Sequence, residues 1–184
     1  CCGPCACGSV PDWLEYARGA PVQGGWSSAP GVSCVTAFFF NPNIHPLLEF
    51  RRRLTGARDA MNFLGLELLE DLTYDPAAWF AQVVPGEGSR CRRCIAQRLD
   101  RTAAVAAERG SAAFSTTLSL SPWQDHEAIK VGGTAAAARH GVEFLYEDQR
   151  AHYRASQALS REWGLYRQKY CGCLLSEWER YRKG

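Results

Sequence analysis

The cysteines of this chain fall into three tight groups that lie far apart in sequence. All but one of its nine cysteines belong to these groups: Cys1, Cys2, Cys5 and Cys7; Cys91 and Cys94; Cys171 and Cys173. Spacings this short do not suit the loop-closing disulfides of a small secreted scaffold. We therefore expect the fold to bring the beginning, middle and end of the chain together around one metal centre. The remaining Cys34 lies in an apolar run and is assigned to the core, and Cys7 is interpreted as structural.

Short apolar runs alternate with stretches of helical periodicity along most of the chain. Strands are predicted at residues 32–40, 66–72, 112–119 and 142–146. Helices are predicted at residues 9–18, 46–64, 75–84, 91–109, 121–140, 153–163 and 174–182, and an exposed loop at 20–31. This alternation predicts a single α/β domain over residues 1–184, with a Rossmann-like parallel sheet and helices on both faces.

Composition limits the classes of partner and the role of any metal. The chain has 21 Lys and Arg against 19 Asp and Glu, so its net charge of +2 does not by itself indicate a nucleic-acid-binding protein. No apolar run approaches the roughly 20 residues that a membrane helix needs, and no signal peptide precedes Cys1. We expect a cytoplasmic protein without membrane contact. Hydrophobic residues make up 46% of the chain, which is enough for a core without metals, so a metal would serve chemistry.

The pair Cys91 and Cys94 is predicted to lie in the first turn of a helix. Residues three apart share a helix face, and the positive end of the helix dipole should stabilise their thiolates, the metal-binding form. Ligands of parallel α/β folds bind at the loops that lead into such helices. Two more sulfurs would complete a tetrahedral zinc site, so zinc stays open. Up to seven sulfurs in the three groups exceed the four that zinc or one cubane cluster needs, which favours iron.

Other polar residues receive structural interpretations. His45 is interpreted as shaping its loop, the arginines at 51–53 as a solvated helix face, and the aromatic residues near the C-terminus as packing. The alternative to an iron-sulfur enzyme is a non-catalytic zinc-binding module or a thiol-disulfide redox protein on the same α/β frame.

Sequence motifs over most of the chain resemble the QueH-type epoxyqueuosine reductases. They are Cys-Cys-Gly-Pro-Cys at 1–5, Phe-Phe-Phe-Asn-Pro-Asn-Ile-His-Pro at 38–46, Cys-Arg-Arg-Cys at 91–94, Arg-Leu-Asp-Arg-Thr at 98–102, Ser-Thr-Thr-Leu-Ser at 115–119 with Ser-Pro at 121–122, Gly-Val-Glu-Phe-Leu-Tyr-Glu-Asp at 141–148, and Gly-Leu-Tyr-Arg-Gln-Lys-Tyr-Cys-Gly-Cys at 164–173. The motifs occur in the family's order, which makes the resemblance specific.

The resemblance implies a two-electron reduction that removes the epoxide oxygen of epoxyqueuosine at the tRNA wobble position and leaves a cyclopentene. It implies a 4Fe-4S cluster bound by four cysteines: Cys1, Cys2, Cys91 and Cys94. It further implies that Cys171 and Cys173 act in catalysis, either as a redox-active dithiol or, together with Cys5, as ligands of a second, mononuclear iron. The electron donor is a further, unidentified partner.

The resemblance also guides expectations for the sheet, the substrate and the proton. The family places a short apolar strand before the double cysteine, so we expect the sheet to lack its first strand here. We expect four arginines to contact the phosphates of the anticodon loop: Arg52, Arg92, Arg93 and Arg167. The acid that meets the leaving oxygen is left open among three side chains: Asp148, Tyr170 and His45.

Overall fold

The structure is a computed structural model that describes residues 3–17, 34–85 and 89–182. The helices are α1 (Gly3–Ala17), α2 (Leu47–Leu64), α3 (Pro76–Val83), α4 (Arg90–Glu108), α5 (His126–His140), α6 (Tyr153–Glu162) and α7 (Leu174–Tyr181). The strands are β1 (Ala37–Phe39), β2 (Leu68–Glu70), β3 (Ala113–Phe114) and β4 (Glu143–Phe144). Short 3₁₀ helices span Thr117–Leu120 and Arg150–His152. The predicted loop at 20–31 lies outside the described residues.

The strands form two parallel pairs. Strand β1 pairs with β2, with Ala37 opposite Leu68, and β3 pairs with β4, with Ala113 opposite Glu143. The α/β class and the parallel direction are therefore confirmed. Among the described residues the two pairs are not hydrogen-bonded to each other, so a single Rossmann-like sheet is not confirmed.

Several helix ends follow local sequence signals. Gly65 and Gly141 adopt left-handed backbone conformations directly after α2 and α5, as predicted for glycines that end helices. The Asp75 carboxylate accepts a hydrogen bond from the Ala78 N–H, so the predicted cap of α3 is confirmed.

Other boundaries differ from the prediction because side chains compete for the backbone. The strand predicted at 112–119 ends at Phe114, and the Thr116 hydroxyl accepts the Leu118 N–H at the start of a 3₁₀ helix. Helix α5 begins at His126, later than predicted, because the Asp125 carboxylate caps its first turn.

Helix α1 begins earlier than the predicted start at residue 9. It packs against α2 and α6, and a Cβ on Gly3 would collide with the backbone carbonyl of Gly56 in α2. This packing buries Cys5, Cys7 and Val10, and burial outweighs the low helix propensity of its glycine and proline residues. The structural interpretation of Cys7 agrees with its 1% exposure.

The core lies in separate clusters on either side of the strand pairs. One cluster packs α4 and α5 against β3 and β4, and includes Leu99, Ile129 and Phe144. A second packs α1 and α2 with residues next to α6, and a third packs Phe39 of β1 against Phe50 of α2. Across the described residues, no helix is both long and apolar enough to span a bilayer. The candidate site lies in the first turn of α4 and in the loop before α7.

Candidate active site at the cysteine pairs

The first cysteine pair lies in the first turn of α4, as predicted. Ser89 precedes this helix, and its hydroxyl accepts a hydrogen bond from the Cys91 N–H at 3.2 Å. Cys91 is exposed, whereas Cys94 is half-buried and packs against a cluster that contains Trp79, Val83 and Cys173. Cys94 and Cys173 therefore share one apolar environment although they are far apart in sequence.

The second pair lies in the loop before α7, and the loop backbone requires a glycine between the cysteines. Gly172 has a φ of 148°, and a Cβ there would lie 2.9 Å from the side-chain nitrogen of Asn43. The His45 N–H donates to the Gly172 carbonyl at 2.9 Å. The Cys173 sulfur accepts the Ser176 N–H and so caps α7. These contacts fix the loop against the turn that follows β1.

The thiols of the two pairs act on one another electrostatically. Burial raises the pKa of Cys91, and negative charge at Cys171 and Cys173 raises it further, while Arg90 lowers it. Burial raises the pKa of Cys94 to about 11, against an opposing effect of Arg98, and negative charge on the other thiols adds to the shift. The expected thiolate stabilisation by the helix dipole is thus outweighed by burial and by neighbouring sulfurs. A bound cation would stabilise the thiolate forms, which otherwise repel one another.

Cys5 lies near this region, but the structure does not group it with the second pair. It is buried on α1, and the Gln168 side-chain N–H donates to its sulfur at 3.8 Å. Across residues 3–17, 34–85 and 89–182, no three Cys, His, Asp or Glu side chains are placed so that they could hold a metal ion. The set expected for a second iron, Cys5 with Cys171 and Cys173, is therefore not assembled. Cys1 and Cys2 lie outside the described residues.

A buried ion pair supports the second cysteine pair. The Arg53 Nε donates to the Glu49 carboxylate at 2.7 Å, and its other nitrogens donate to the carbonyls of Cys171 (2.8 Å) and Tyr170 (3.0 Å). The Tyr166 hydroxyl donates to the second oxygen of Glu49 at 2.6 Å. The interpretation of residues 51–53 as a solvated face is wrong for Arg53, because that side chain is 2% exposed.

The four arginines expected at the RNA surface occupy different environments. Arg52 is exposed and lies over the Tyr166 ring. Arg92 is exposed and pairs with Asp125 at 2.9 Å, and Arg167 is exposed and donates to Gln157. Arg93 is half-buried and donates to the carbonyls of Val83 and Val84 at the end of α3. The contacts of Arg93 are those of a helix C-cap.

The three candidate acids differ in their protonation. The Arg150 guanidinium hydrogen-bonds Asp148 and lowers the pKa of that carboxyl to about 2, so Asp148 is ionised at neutral pH. Burial raises the pKa of Tyr170 to about 12, and its hydroxyl donates to the His45 carbonyl at 2.8 Å. His45 is 1% exposed and packs against aromatic rings, and burial lowers its pKa. Its backbone contacts agree with the loop-shaping interpretation.

Two further residues reach the cysteines without having been predicted. The Gln124 side-chain N–H donates to the Cys171 sulfur at 3.6 Å, and Gln168 contacts Cys5 as described above. Gln168 lies inside the motif at 164–173, and Gln124 follows the Ser-Pro at 121–122, so position near a motif was the available signal. Cys34 is exposed, so its assignment to the core is wrong.

Two neighbouring cysteine pairs, one in the first turn of α4 and one in the loop before α7, lie in this mixed α/β fold. Residues 1–179 match the sequence model of the family described as epoxyqueuosine reductase QueH. The chain belongs to this family, and the resemblance stated from the sequence is confirmed.

Named relatives agree with the family match. The chain is 37% identical over 183 residues to the epoxyqueuosine reductase QueH of Dehalococcoides mccartyi, an alignment that covers all of this chain and 92% of the relative. It is 39% identical over 155 residues to the protein of that name from Thermotoga maritima, with 79% and 81% covered. The Helicobacter pylori protein of that name is 37% identical over 151 residues, with 76% and 41% covered. These relatives are named as reductases, which places the chain in an oxidoreductase family.

Proposed function

We propose that this protein is an epoxyqueuosine reductase that deoxygenates epoxyqueuosine to queuosine at the wobble position of tRNA. The observation that carries the proposal is the proximity of the two cysteine pairs: Cys94 packs against the cluster that contains Cys173, and negative charge at Cys171 and Cys173 raises the pKa of Cys91 and Cys94. Family membership supports the same reaction. A tRNA substrate also implies a cytoplasmic enzyme.

The proposed cofactor is a 4Fe-4S cluster on Cys1, Cys2, Cys91 and Cys94. The donor types support it, because cysteine thiolates are the usual ligands of such clusters and Cys91 and Cys94 lie three residues apart in the first turn of α4. Iron would replace the protons of these thiols. When bound, such a cluster supplies electrons one at a time. The second-iron alternative has less support, because Cys5 is not grouped with Cys171 and Cys173, and we derive no step through it.

The Cys171 and Cys173 dithiol can balance the reaction without a second metal. Its two sulfurs lose two electrons and two protons and form a disulfide, while both carbon–oxygen bonds of the epoxide break and the oxygen leaves as water. A bound cluster would supply electrons from an external donor for the return of the dithiol to its reduced form. Gln124 holds the exposed Cys171 sulfur by a hydrogen bond, and the Cys173 sulfur is buried at the α7 cap. Cys171 is therefore the thiol that substrate reaches.

The three candidate acids are poor proton sources for the departing oxygen. His45 is 1% exposed, and burial lowers its pKa. Asp148 is ionised and cannot donate at neutral pH, since its pKa lies at about 2. The Tyr170 hydroxyl is protonated and lies next to the second cysteine pair, but it already donates to a buried carbonyl. We propose that the Cys171 and Cys173 thiols carry the protons as well as the electrons.

We propose that Arg52, Arg92 and Arg167 contact the tRNA phosphates. All three are exposed, whereas Arg93 is engaged with α3. Neutralising each exposed arginine should weaken tRNA binding and reduce the salt dependence of the binding constant, since each phosphate contact contributes to that dependence. A binding constant that does not change with salt would count against an electrostatic RNA surface.

We further propose that the two strand pairs belong to one parallel sheet with helices on both faces, in a single domain. A cavity of about 440 Å³ lies between the outer edge of β1 and that of β3, lined by Val35, Phe40, Ala112 and Ser115 among others. Hydrogen exchange that shows the β1 and β3 edge amides unprotected would refute this.

The proposed function is tested by anaerobic purification and single-turnover kinetics. We expect a brown protein with iron and acid-labile sulfide that converts epoxyqueuosine-containing tRNA to queuosine-containing tRNA. The variant C171S should keep its iron and lose turnover. The control variant C34S changes an exposed cysteine outside the two cysteine pairs and should keep both iron and turnover. A colourless protein with stoichiometric zinc would instead support the zinc-binding module, and full turnover by C171S would exclude the dithiol.

A further inference from the structure

An exposed indole lies next to a residue that contacts the second cysteine pair. Trp123 is 76% exposed in the turn between the 3₁₀ helix and α5. The next residue, Gln124, donates its side-chain N–H to the Cys171 sulfur. An indole with this exposure adds little to the core, and its amphipathic ring can stack on a base.

The turn holds this indole in place. The Trp123 backbone N–H donates to the Ser121 hydroxyl at 3.4 Å. The Trp123 ring packs edge-on against the Tyr153 ring, with centroids 5.2 Å apart. Tyr153 lies close to Cys5 and Arg167, since negative charge at Cys5 raises the pKa of Tyr153, after burial, and Arg167 lowers it. The Trp123 ring is thus packed on one neighbour and open to a ligand.

Two exposed arginines lie near the segment that carries the indole. Arg92 is exposed and pairs with Asp125, two residues after Trp123. Arg167 is exposed and lies near Tyr153. Asp125 offsets part of the charge of Arg92. Arg167 donates hydrogen bonds to the side-chain oxygen of Gln157, which is neutral and does not compensate the charge of Arg167. An exposed aromatic ring near two exposed arginines matches a single-stranded nucleic acid, whose phosphates bind cations and whose bases stack on rings.

We infer that Trp123 is a stacking platform for an unpaired base of the substrate RNA, next to the nucleotide that reaches Cys171. The inference rests on the proposed function and adds a recognition residue to it. Any base can stack on an indole, so the platform would orient the unpaired loop without reading its sequence. Loss of one base–aromatic stack should weaken binding by about 5- to 150-fold.

The test compares Trp123 variants of the anaerobically purified holoenzyme for binding and turnover of an anticodon stem-loop that carries epoxyqueuosine. W123A should raise the Kd by about 5- to 150-fold, and W123F should restore most of the affinity because its ring can still stack. The salt dependence of binding should not change, because no phosphate contact is lost, whereas R167Q should reduce it. The control W178A removes another exposed tryptophan, 58% exposed on α7, and should bind as the wild type does.

The outcomes separate this inference from the proposed function. Wild-type protein that neither binds nor converts the stem-loop would refute the proposed function. Wild-type turnover together with unchanged stem-loop affinity in W123A would refute the platform alone. An equal loss of affinity for a fully paired RNA duplex would also refute stacking, because a duplex offers no unpaired base. If W123A keeps RNA affinity but loses turnover only with a protein electron donor, and not with dithionite, Trp123 is a donor-docking residue instead.

Discussion

Replacing Arg53 with methionine should destabilise the protein through the second cysteine pair. Methionine keeps most of the aliphatic volume and removes the guanidinium, which bonds Glu49 and the carbonyls of Tyr170 and Cys171. The side chains of Arg53 and Glu49 are only 2% and 7% exposed. R53M therefore leaves a buried carboxylate with Tyr166 as its remaining hydrogen-bond donor and frees two loop carbonyls.

The size of the effect follows from this burial. Removing one partner of a buried ion pair costs about 3 to 5 kcal/mol, because the remaining charge stays desolvated. Total stabilities of about 5 to 15 kcal/mol make this a large fraction of the folding free energy. For a chain of this length, the loss corresponds to a decrease in Tm of roughly 6 to 20 °C. Turnover should fall by more than the unfolded fraction explains, since the carbonyl of Cys171 loses its anchor.

Urea unfolding of R53M, E49Q and the double variant measures the coupling. The double variant should lose less stability than the sum of the single variants, because it buries no unpaired charge. R51M changes an exposed arginine of the same helix and should alter the unfolding free energy by no more than about 0.5 kcal/mol. If R53M unfolds within about 1 kcal/mol of the wild type, the ion pair does not anchor the loop and this reasoning is refuted.

Three further predictions concern packing, exposure and pH. A Cβ on Gly133 would collide with the Phe144 ring, so G133A should cost about 1 to 3 kcal/mol in urea unfolding. G132A is the matched control, because the nearest side-chain atom lies 3.3 Å away, and an equal loss in both variants would contradict the packing argument. C34S should change the unfolding free energy by no more than about 0.5 kcal/mol, because Cys34 is exposed, and a larger loss would indicate that its side chain is buried. Burial lowers the pKa of His45 from 6.5, so the unfolded state takes up a proton first as the pH falls. The metal-free protein should therefore lose stability below about pH 6.5 by up to about 1.4 kcal/mol per pH unit, until the folded-state pKa is reached. H45Q should lack this loss of stability at low pH. If the unfolding free energy of H45Q falls with pH as steeply as that of the wild type, the assignment to His45 is contradicted.

Helix positions were predictable because their signals are local. Apolar spacing and a glycine after residue 64 predicted α2, and an aspartate followed by a proline predicted α3. Strand lengths were not predictable in this way. The apolar run predicted as a strand at 32–40 contributes only Ala37–Phe39 to a described strand, because a strand extends only as far as its partner pairs with it.

The exposure of single residues was harder to predict than the elements that carry them. Cys34 was assigned to the core from its apolar neighbours, but both Cys34 and Thr36 are exposed while Phe39 is buried. Arg53 was interpreted by residue type, although it lies three residues after Phe50 and beside Leu54, on the stripe that faces the core. Helical periodicity was the available signal for its burial, and a charged residue on a buried stripe predicts a buried partner.

The turn at residues 41–45 connects the two segments that carry the cysteine pairs. Arg98, on the helix that carries the first pair, donates to the Asn41 side-chain carbonyl at 2.9 Å. The His45 N–H donates to the carbonyl between the second pair, and the Gly172 backbone lies against Asn43. The turn therefore contacts α4 at one end and the loop of the second pair at the other. None of its residues carries sulfur, yet the turn links the two segments that carry the cysteine pairs, and cysteines on two distant segments need a common rigid support.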